Sequence, residues 1–320
     1  MADVTLPGSG RVTSRLGFGA SRIIGGPAQK HSLGLLETAY EAGIRHFDVA
    51  PAYGSGGAEE VLGSFLRRHH DEVTVTSKFG IARPVGGSRF LHTYGRAAAR
   101  FLLWRLPGVK ARLIRATQPA SLTTHFTSQE LSASLRESLT ALRSERLDLF
   151  LLHEAELQDL TDELRETLDR SVTEGVIGAW GIGSERSKVD RVVTEAPSVA
   201  RVLQFEWSVL SESPPTYPHA FVITHRALSS AFTQLRTALS DPERCRRWSN
   251  AVDLDLGNER VLAQLMLSAA LEANPNGIVL FSSNQQKRIR DNAMVENTRS
   301  EPAIRRFSEL IDAERGMLLR

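Results

Sequence analysis

Four residues in three stretches of the chain could together move a proton onto a carbonyl oxygen. Asp48 and Tyr53 stand in HFDVAPAYGSG, Lys78 in VTVTSKFG and His153 in LDLFLLHE. A phenol can donate a proton, an ammonium group can lower the pKa of that phenol, and a carboxylate can keep the ammonium charged. An imidazole can orient a carbonyl by a hydrogen bond to its oxygen. Each residue alone also has a structural explanation, so the prediction of proton transfer rests on the set.

Alternating strand and helix patterns must position these residues. Short apolar runs rich in β-branched residues alternate with segments of helical period, which favours a parallel sheet with crossover helices. The predicted strands are 16–20, 44–49, 73–78, 147–153, 177–183, 202–207, 221–225 and 277–282. Eight such strands in 320 residues predict an α/β fold, the (β/α)8 TIM barrel. An open doubly wound sheet is the alternative, although no G-x-G-x-x-G fingerprint follows the first strand.

The barrel prediction places the four residues at one mouth, because they stand at or just after the ends of the second, third and fourth strands. Residues 3–15 predict an N-terminal β-hairpin. Helices are predicted over 32–42, 58–69, 128–143 and 157–173. The long segments after strands three and seven, 81–127 and 240–257, are predicted as loops on the catalytic face. No linker marks a second domain, so residues 1–320 are expected to form one domain.

Composition indicates the compartment in which the protein works. A hydrophobic content of 41% and a charged content of 24% are ordinary for a soluble globular protein. The one cysteine, Cys245, cannot form an internal disulfide, which fits a reducing compartment. No signal peptide or membrane-spanning run is visible. We therefore expect a cytoplasmic protein.

Charge is concentrated in one part of the chain. The stretch between Phe79 and Gln129 holds eight basic residues and no acidic one. They are Arg83, Arg89, Arg96, Arg100, Arg105, Lys110, Arg112 and Arg115. The stretch is either the solvated basic face of an insertion or a surface that receives an anionic substrate or acidic partner. No nucleic-acid motif accompanies the charge. The adjacent His69, His70, Asp71 and Glu72 do not predict a metal site, because neighbouring side chains diverge.

Several motifs resemble those of the aldo-keto reductase family. HFDVAPAYGSGGAEEVLGSFL, TSKFG, RLDLFLLHE and GAWGIGS carry the resemblance, which extends from RLGFGAS to RIRDNA. It implies a (β/α)8 barrel that reduces an aldehyde or ketone to an alcohol with a nicotinamide cofactor. It also implies that Tyr53 is the general acid and that Lys78, paired with Asp48, lowers the pKa of Tyr53. His153 would bind the substrate oxygen.

The same resemblance implies a cofactor site. Its residues are Ser184, Gln204, His225, Ser282, Ser283, Arg288 and Asn292. Gln204 matches a contact to the nicotinamide carboxamide, and His225 stands where a stacking tyrosine is common. Arg288 could pair with a 2′-phosphate and so favour NADPH. NADH remains the alternative, because a lysine frequent at the position of Ser282 is absent.

Two other functions stay open at this point. The same site run in reverse would oxidise a sugar or a secondary alcohol with NAD(P)+. The chain could also be a barrel that only binds a cofactor, as a sensor. The complete proton-transfer set argues against a sensor, since a binding module needs no general acid.

Overall fold

A small hairpin precedes a closed barrel in the computed structural model, which describes residues 3–84, 126–212, 214–215, 217–296 and 300–318. Strands β1 (Asp3–Thr5) and β2 (Val12–Ser14) pair antiparallel. Gly8 and Gly10 turn the chain between them with φ values of 76° and 65°. The predicted hairpin is confirmed.

Eight parallel strands close the barrel. They are β3 (Leu16–Gly19), β4 (His46–Asp48), β5 (Thr74–Phe79), β6 (Leu147–His153), β7 (Ile177–Gly183), β8 (Val202–Glu206), β9 (Phe221–His225) and β10 (Ile278–Phe281). Each pairs with the next along the chain, and β10 pairs with β3. The predicted (β/α)8 architecture is confirmed, and the open sheet is excluded.

Helices cover the outside of the barrel. Those of the described residues are α1 (Gln29–Glu41), α2 (Ala58–His69), α3 (Ser128–Leu142), α4 (Asp162–Thr173), α5 (Arg186–Glu195), α6 (Ser230–Ala238), α7 (Pro242–Val252), α8 (Glu259–Ala273), α9 (Gln286–Ala293) and α10 (Glu301–Leu318). None of these helices has the length and apolar character needed to cross a membrane. Helix α3 illustrates the local logic, because Thr127 caps it by accepting from the Glu130 N–H at 3.2 Å, and Leu131 and Leu135 are buried.

Two sequence predictions were wrong in detail. The segment 240–257, predicted as a loop, contains α7, which Asp241 caps and Pro242 begins. Its charged residues conceal a narrow apolar face, of which Trp248 and Val252 are buried. The helix predicted over 157–173 begins only at Asp162 in α4, after a separate 3-10 turn.

The lower half of the barrel is filled and its upper rim is polar. Inward side chains such as Leu151, Val202 and Ile223 pack with Leu6, from the loop between β1 and β2. Strand residues alternate between the interior and the helices, so Asp48 lies one interior layer above His46. The floor is therefore closed and the carboxyl ends of the strands form the open mouth.

Candidate active site

Tyr53 is carried by a left-handed turn directly after β4. The 3-10 turn Tyr53–Gly56 contains φ values of 59° at Gly54, 57° at Ser55 and 84° at Gly56. A Cβ at Gly54 would lie 2.0 Å from the carbonyl oxygen of Ile23, so only glycine fits there. Ser55 is strained, because non-glycine residues rarely adopt positive φ. The sequence YGSG thus folds into a turn that the surroundings must hold.

Lys78 lies beneath this turn as a buried cation with three oxygen partners. Its Nζ donates to Asp48 Oδ1 at 2.6 Å, to the phenol oxygen of Tyr53 at 3.3 Å and to the carbonyl oxygen of Val49 at 3.4 Å. Gln204 Nε2 donates to the other carboxylate oxygen of Asp48 at 2.7 Å. Both carboxylate oxygens are therefore paired, as a buried charge requires.

The pKa values of the pair favour a neutral phenol beside a charged ammonium. Burial raises the pKa of Tyr53, and the charge of Lys78 lowers it, with burial the larger effect. Burial lowers the pKa of Lys78, but Asp48 and Tyr53 together raise it above its ordinary value. Lys78 acts on the phenol in the direction expected from the sequence. Because burial outweighs that action, Tyr53 keeps its proton at neutral pH.

His153 stands beside Tyr53 at the end of β6. The two rings meet edge to face, with centroids 6.2 Å apart and an interplanar angle of 87°. Burial, the charge of Lys78 and His225 lower the pKa of His153 to about 3. Burial followed by Lys78 and Arg226 likewise lowers the pKa of His225 to about 3. Both imidazoles are therefore neutral at neutral pH, and each can donate only one hydrogen bond.

A cleft of about 1170 Å³ opens above these residues and runs along the strand ends. Asp48, Tyr53 and His153 line it, whereas Lys78 lies below its surface and reaches it through Tyr53. All seven positions predicted for the cofactor also line the cleft. They are Ser184, Gln204, His225, Ser282, Ser283, Arg288 and Asn292. The structure thus brings together every predicted site residue around one cavity.

The end of the cleft formed by α9 suits an anion. No side chain caps the N-terminus of α9. Among the described residues, Arg288 has no ion-pair or hydrogen-bond partner, whereas Lys287 pairs with Asp291 at 2.9 Å. Open backbone N–H groups and an unpaired guanidinium are the usual partners of a phosphate. The donor set therefore fits a phosphorylated ligand.

Sequence reasoning missed two basic cleft residues that lie just past a strand. Arg22 comes after β3, and Arg226 after β9, where it pairs with Glu206 at 2.8 Å. Their positions just past the strand ends were the available signal. Of the basic stretch, only Arg83 lies within the described residues, and it pairs with Glu59. The other seven basic residues lie outside them.

Comparisons with known proteins agree with this geometry. The sequence model of the Aldo/keto reductase family matches residues 15–224. The chain is 28% identical over 268 residues to D-threo-aldose 1-dehydrogenase of a Pseudomonas species, covering 75% of this chain and 72% of the relative.

Solved structures show the same fold. A glycerol dehydrogenase from Gluconobacter oxydans superposes with a TM-score of 0.70 at 18% identity, covering 98% of this chain and 96% of that one. An aldo-keto reductase from Klebsiella pneumoniae in complex with NADPH gives a TM-score of 0.64 at 20% identity, covering 97% and 95%. At such identities the likeness concerns the fold alone.

Proposed function

The chain belongs to the aldo/keto reductase family and is an oxidoreductase of carbonyl compounds, and we propose that it reduces an aldehyde or ketone with NADPH, with Tyr53 as the proton donor. One observation carries the proposal. The phenol oxygen of Tyr53 lies 3.3 Å from Lys78 Nζ, and Asp48 pairs with that ammonium at 2.6 Å. A protonated phenol is available to a carbonyl oxygen, and the ammonium stabilises the phenolate that remains.

The four residues then have distinct roles. Tyr53 gives its proton to the carbonyl oxygen as charge develops there. Lys78 stabilises the phenolate through its charge, and Asp48 keeps Lys78 protonated. The neutral ring of His153 donates a hydrogen bond to the same carbonyl oxygen without competing as the acid. Solvent later returns a proton to Tyr53.

The cleft fits a nicotinamide dinucleotide. When bound, the reduced nicotinamide would supply the hydride to the carbonyl carbon. Ser184 and Gln204 offer polar groups to its carboxamide, and His225 offers a ring face. The phosphates and the adenosine would be held at the α9 end by Ser282, Ser283, Arg288 and Asn292. The guanidinium of Arg288, which has no partner among the described residues, supports NADPH over NADH.

A substrate panel assayed with each cofactor in parallel tests this proposal. We expect reduction of one or more aldehydes or ketones, with a lower KM for NADPH than for NADH. Arg288→Ala should raise the KM for NADPH by about tenfold, the loss of one charge-assisted contact, and leave the KM for NADH unchanged. Equal effects of Arg288→Ala on both cofactors would reject the 2′-phosphate role. A complete lack of activity with both NADPH and NADH would reject the reductase proposal.

The reverse reaction is a second candidate, supported by the match to a relative named D-threo-aldose 1-dehydrogenase. The same residues would work in the opposite direction, with the deprotonated form of Tyr53, stabilised by Lys78, as the base that takes a proton from a sugar hydroxyl. Assays of aldose oxidation with NADP+ and NAD+ separate the two candidates. A kcat/KM for an aldose above that for every carbonyl compound would favour the dehydrogenase.

We further propose that the substrate carries a negative charge. Arg22 lines the cleft, is exposed and has no partner among the described residues. The charge of Arg226 also reaches the site, because it acts to lower the pKa of Tyr53, although burial sets the net direction of that pKa. The test compares 4-carboxybenzaldehyde with 4-methylbenzaldehyde in the wild type, Arg22→Gln and Arg22→Lys. In Arg22→Gln, the KM for 4-carboxybenzaldehyde should rise and the KM for 4-methylbenzaldehyde should not. In Arg22→Lys, the KM for 4-carboxybenzaldehyde should return part of the way to the wild-type value. Equal effects on both aldehydes would contradict the proposal.

We also propose that residues 1–320 act as one catalytic domain in the cytoplasm. The barrel draws strands from Leu16 to Phe281, and α10 packs beside α7, which supports a single unit. The lone Cys245 supports a reducing compartment. Limited proteolysis followed by assay of the fragments tests the first point, since an active fragment lacking α10 would oppose it.

A further inference from the structure

We infer that Arg83 and Glu59 are positioning residues that hold the Tyr53–Gly56 turn against β5, a role that rests on the proposed acid function of Tyr53. Arg83 Nη1 donates to the carbonyl oxygen of Gly56 at 2.8 Å. Arg83 Nη2 also pairs with Glu59 Oε2. Ser77 Oγ donates to the other oxygen of Glu59 at 2.7 Å. Backbone, guanidinium, carboxylate and hydroxyl thus form one connected chain.

This chain ties the turn to the strand that carries Lys78. Ser77 and Lys78 are neighbours on β5, and neighbouring strand residues point to opposite faces. Lys78 reaches into the barrel to the phenol oxygen of Tyr53 at 3.3 Å. Ser77 reaches outward to Glu59 at the start of α2. The turn is therefore fixed to β5 at both ends, which sets the distance between Tyr53 and Lys78.

The surroundings make both partners necessary. The carboxylate of Glu59 is completely buried, whereas the side chain of Arg83 is 15% exposed. Burial raises the pKa of Glu59, and Ser77 and Arg83 oppose that rise. A buried carboxylate without its cation is strongly disfavoured. The turn itself contains three consecutive residues at positive φ, including the strained Ser55. A turn of this kind keeps its shape only when its neighbours hold it.

The contacts also lie outside the cleft. Neither Glu59 nor Arg83 lines the cavity that contains Tyr53 and His153. Each acts through the backbone of Gly56 and not on a bound ligand. Loss of either should therefore reduce turnover while leaving cofactor affinity intact, because small displacements of a reacting group lower the rate steeply.

The test uses Arg83→Ala with a matched control, Arg11→Ala, in the full chain. Arg11 makes the same kind of contact elsewhere: it pairs with the buried Asp148 at 3.0 Å and donates to the carbonyl oxygen of Asp71 at 2.9 Å. Both variants remove one guanidinium from a buried carboxylate. Arg83→Ala should lower kcat for a neutral aldehyde about 10- to 100-fold. Arg11→Ala should change kcat less than about threefold, although thermal unfolding shows a loss of stability in both.

Two readouts distinguish positioning from general damage. Added guanidinium chloride at millimolar concentration should restore part of the kcat of Arg83→Ala and none in Arg11→Ala. Glu59→Gln should also lower kcat, and the double variant Glu59→Gln/Arg83→Ala should be no worse than Arg83→Ala alone. Glu163→Gln, at an exposed carboxylate in α4, is its control and should retain kcat.

Equal kcat losses in Arg83→Ala and Arg11→Ala, or an unchanged kcat in Arg83→Ala, would overturn the inference. A raised cofactor Kd, measured by quenching of tryptophan fluorescence with NADPH, would also overturn it, because it would assign Arg83 to binding. Assays of Tyr53→Phe in parallel distinguish failure of the positioning role of Arg83 from failure of the proposed acid role of Tyr53. If Tyr53→Phe retains full activity, the acid assignment itself is wrong.

Discussion

Lys78 Nζ lies 3.3 Å from the phenol oxygen of Tyr53, although 25 positions of sequence separate them. Each residue changes the behaviour of the other. The ammonium lowers the pKa of a phenol that burial would otherwise raise further, and the phenol helps to keep the ammonium protonated. The pair can therefore hold a proton in the resting site and release it when negative charge appears on a nearby oxygen.

Removal of the ammonium should separate its catalytic contribution from its structural one. Among the described residues, Lys78→Met leaves Gln204 as the one remaining side-chain donor to the buried carboxylate of Asp48. We expect kcat/KM to fall by about two orders of magnitude or more, and the free energy of unfolding to fall by about 3–5 kcal/mol. Urea unfolding and steady-state kinetics measure the two effects.

The double variant Lys78→Met/Asp48→Asn is the control for that experiment. It removes both charges, so most of the lost stability should return while activity stays low. Recovery of activity together with stability would mean that Lys78 has only a structural role.

Glycine at position 54 should be required for the turn that carries Tyr53. Gly54→Ala places a Cβ 2.0 Å from the carbonyl oxygen of Ile23, whereas a Cβ added at Gly175, with a φ of 75°, would meet no atom within 4 Å. Both substitutions should lower the free energy of unfolding by about 1 kcal/mol, because alanine must adopt the left-handed conformation. Only Gly54→Ala should lose more stability than that and also lower kcat. Similar results for Gly54→Ala and Gly175→Ala, from urea unfolding and kinetics, would contradict the tight contact.

Buried imidazoles should make the protein sensitive to acid. His46 bonds Thr74 and Thr76 at 2.9 and 3.1 Å, and burial followed by the charge of Lys78 lowers its pKa from 6.5 to about 3. Between these values the unfolded chain takes up a proton that the folded protein does not. Stability is therefore lost as pH falls from about 6.5 towards 3, by about 1.4 kcal/mol per pH unit for each such histidine.

A variant isolates the contribution of His46. In His46→Gln, the decline of the unfolding free energy between about pH 6 and pH 4 should be shallower by about 1.4 kcal/mol per pH unit. The substitution His31→Gln, at an exposed position, is the control. An unchanged pH slope in His46→Gln would show that His46 is already protonated in the folded state.

The sequence allowed prediction of those features that follow from periodicity and strand ends. Asp48, Lys78 and His153 end apolar runs, and a barrel brings such ends to one mouth. The hairpin could be predicted from the glycines at its turn. The four-residue set and the seven cofactor positions meet at one cleft, while their individual roles stay predictions.

Other features depend on tertiary contacts that no local sequence pattern indicates. Helix α7 could not be predicted from the sequence because only Trp248 and Val252 among its residues are buried. Two apolar positions are too few to show a helical period. The link from Arg83 to Glu59 joins residues 24 positions apart, with no regular spacing. The strength of burial around Tyr53, which reverses the expected direction of its pKa, also requires the packed structure.

The proton-donor role of Tyr53 is tested most directly by single-turnover reduction in the Tyr53→Phe variant. Tryptophan fluorescence first establishes that the variant binds NADPH with the affinity of the wild type. Stopped-flow measurement then follows oxidation of the bound NADPH after a carbonyl substrate is added. We predict a rate lower by about 10²- to 10⁴-fold, the usual contribution of a general acid, with cofactor binding unchanged. An undiminished rate would contradict the assignment of Tyr53 as the acid.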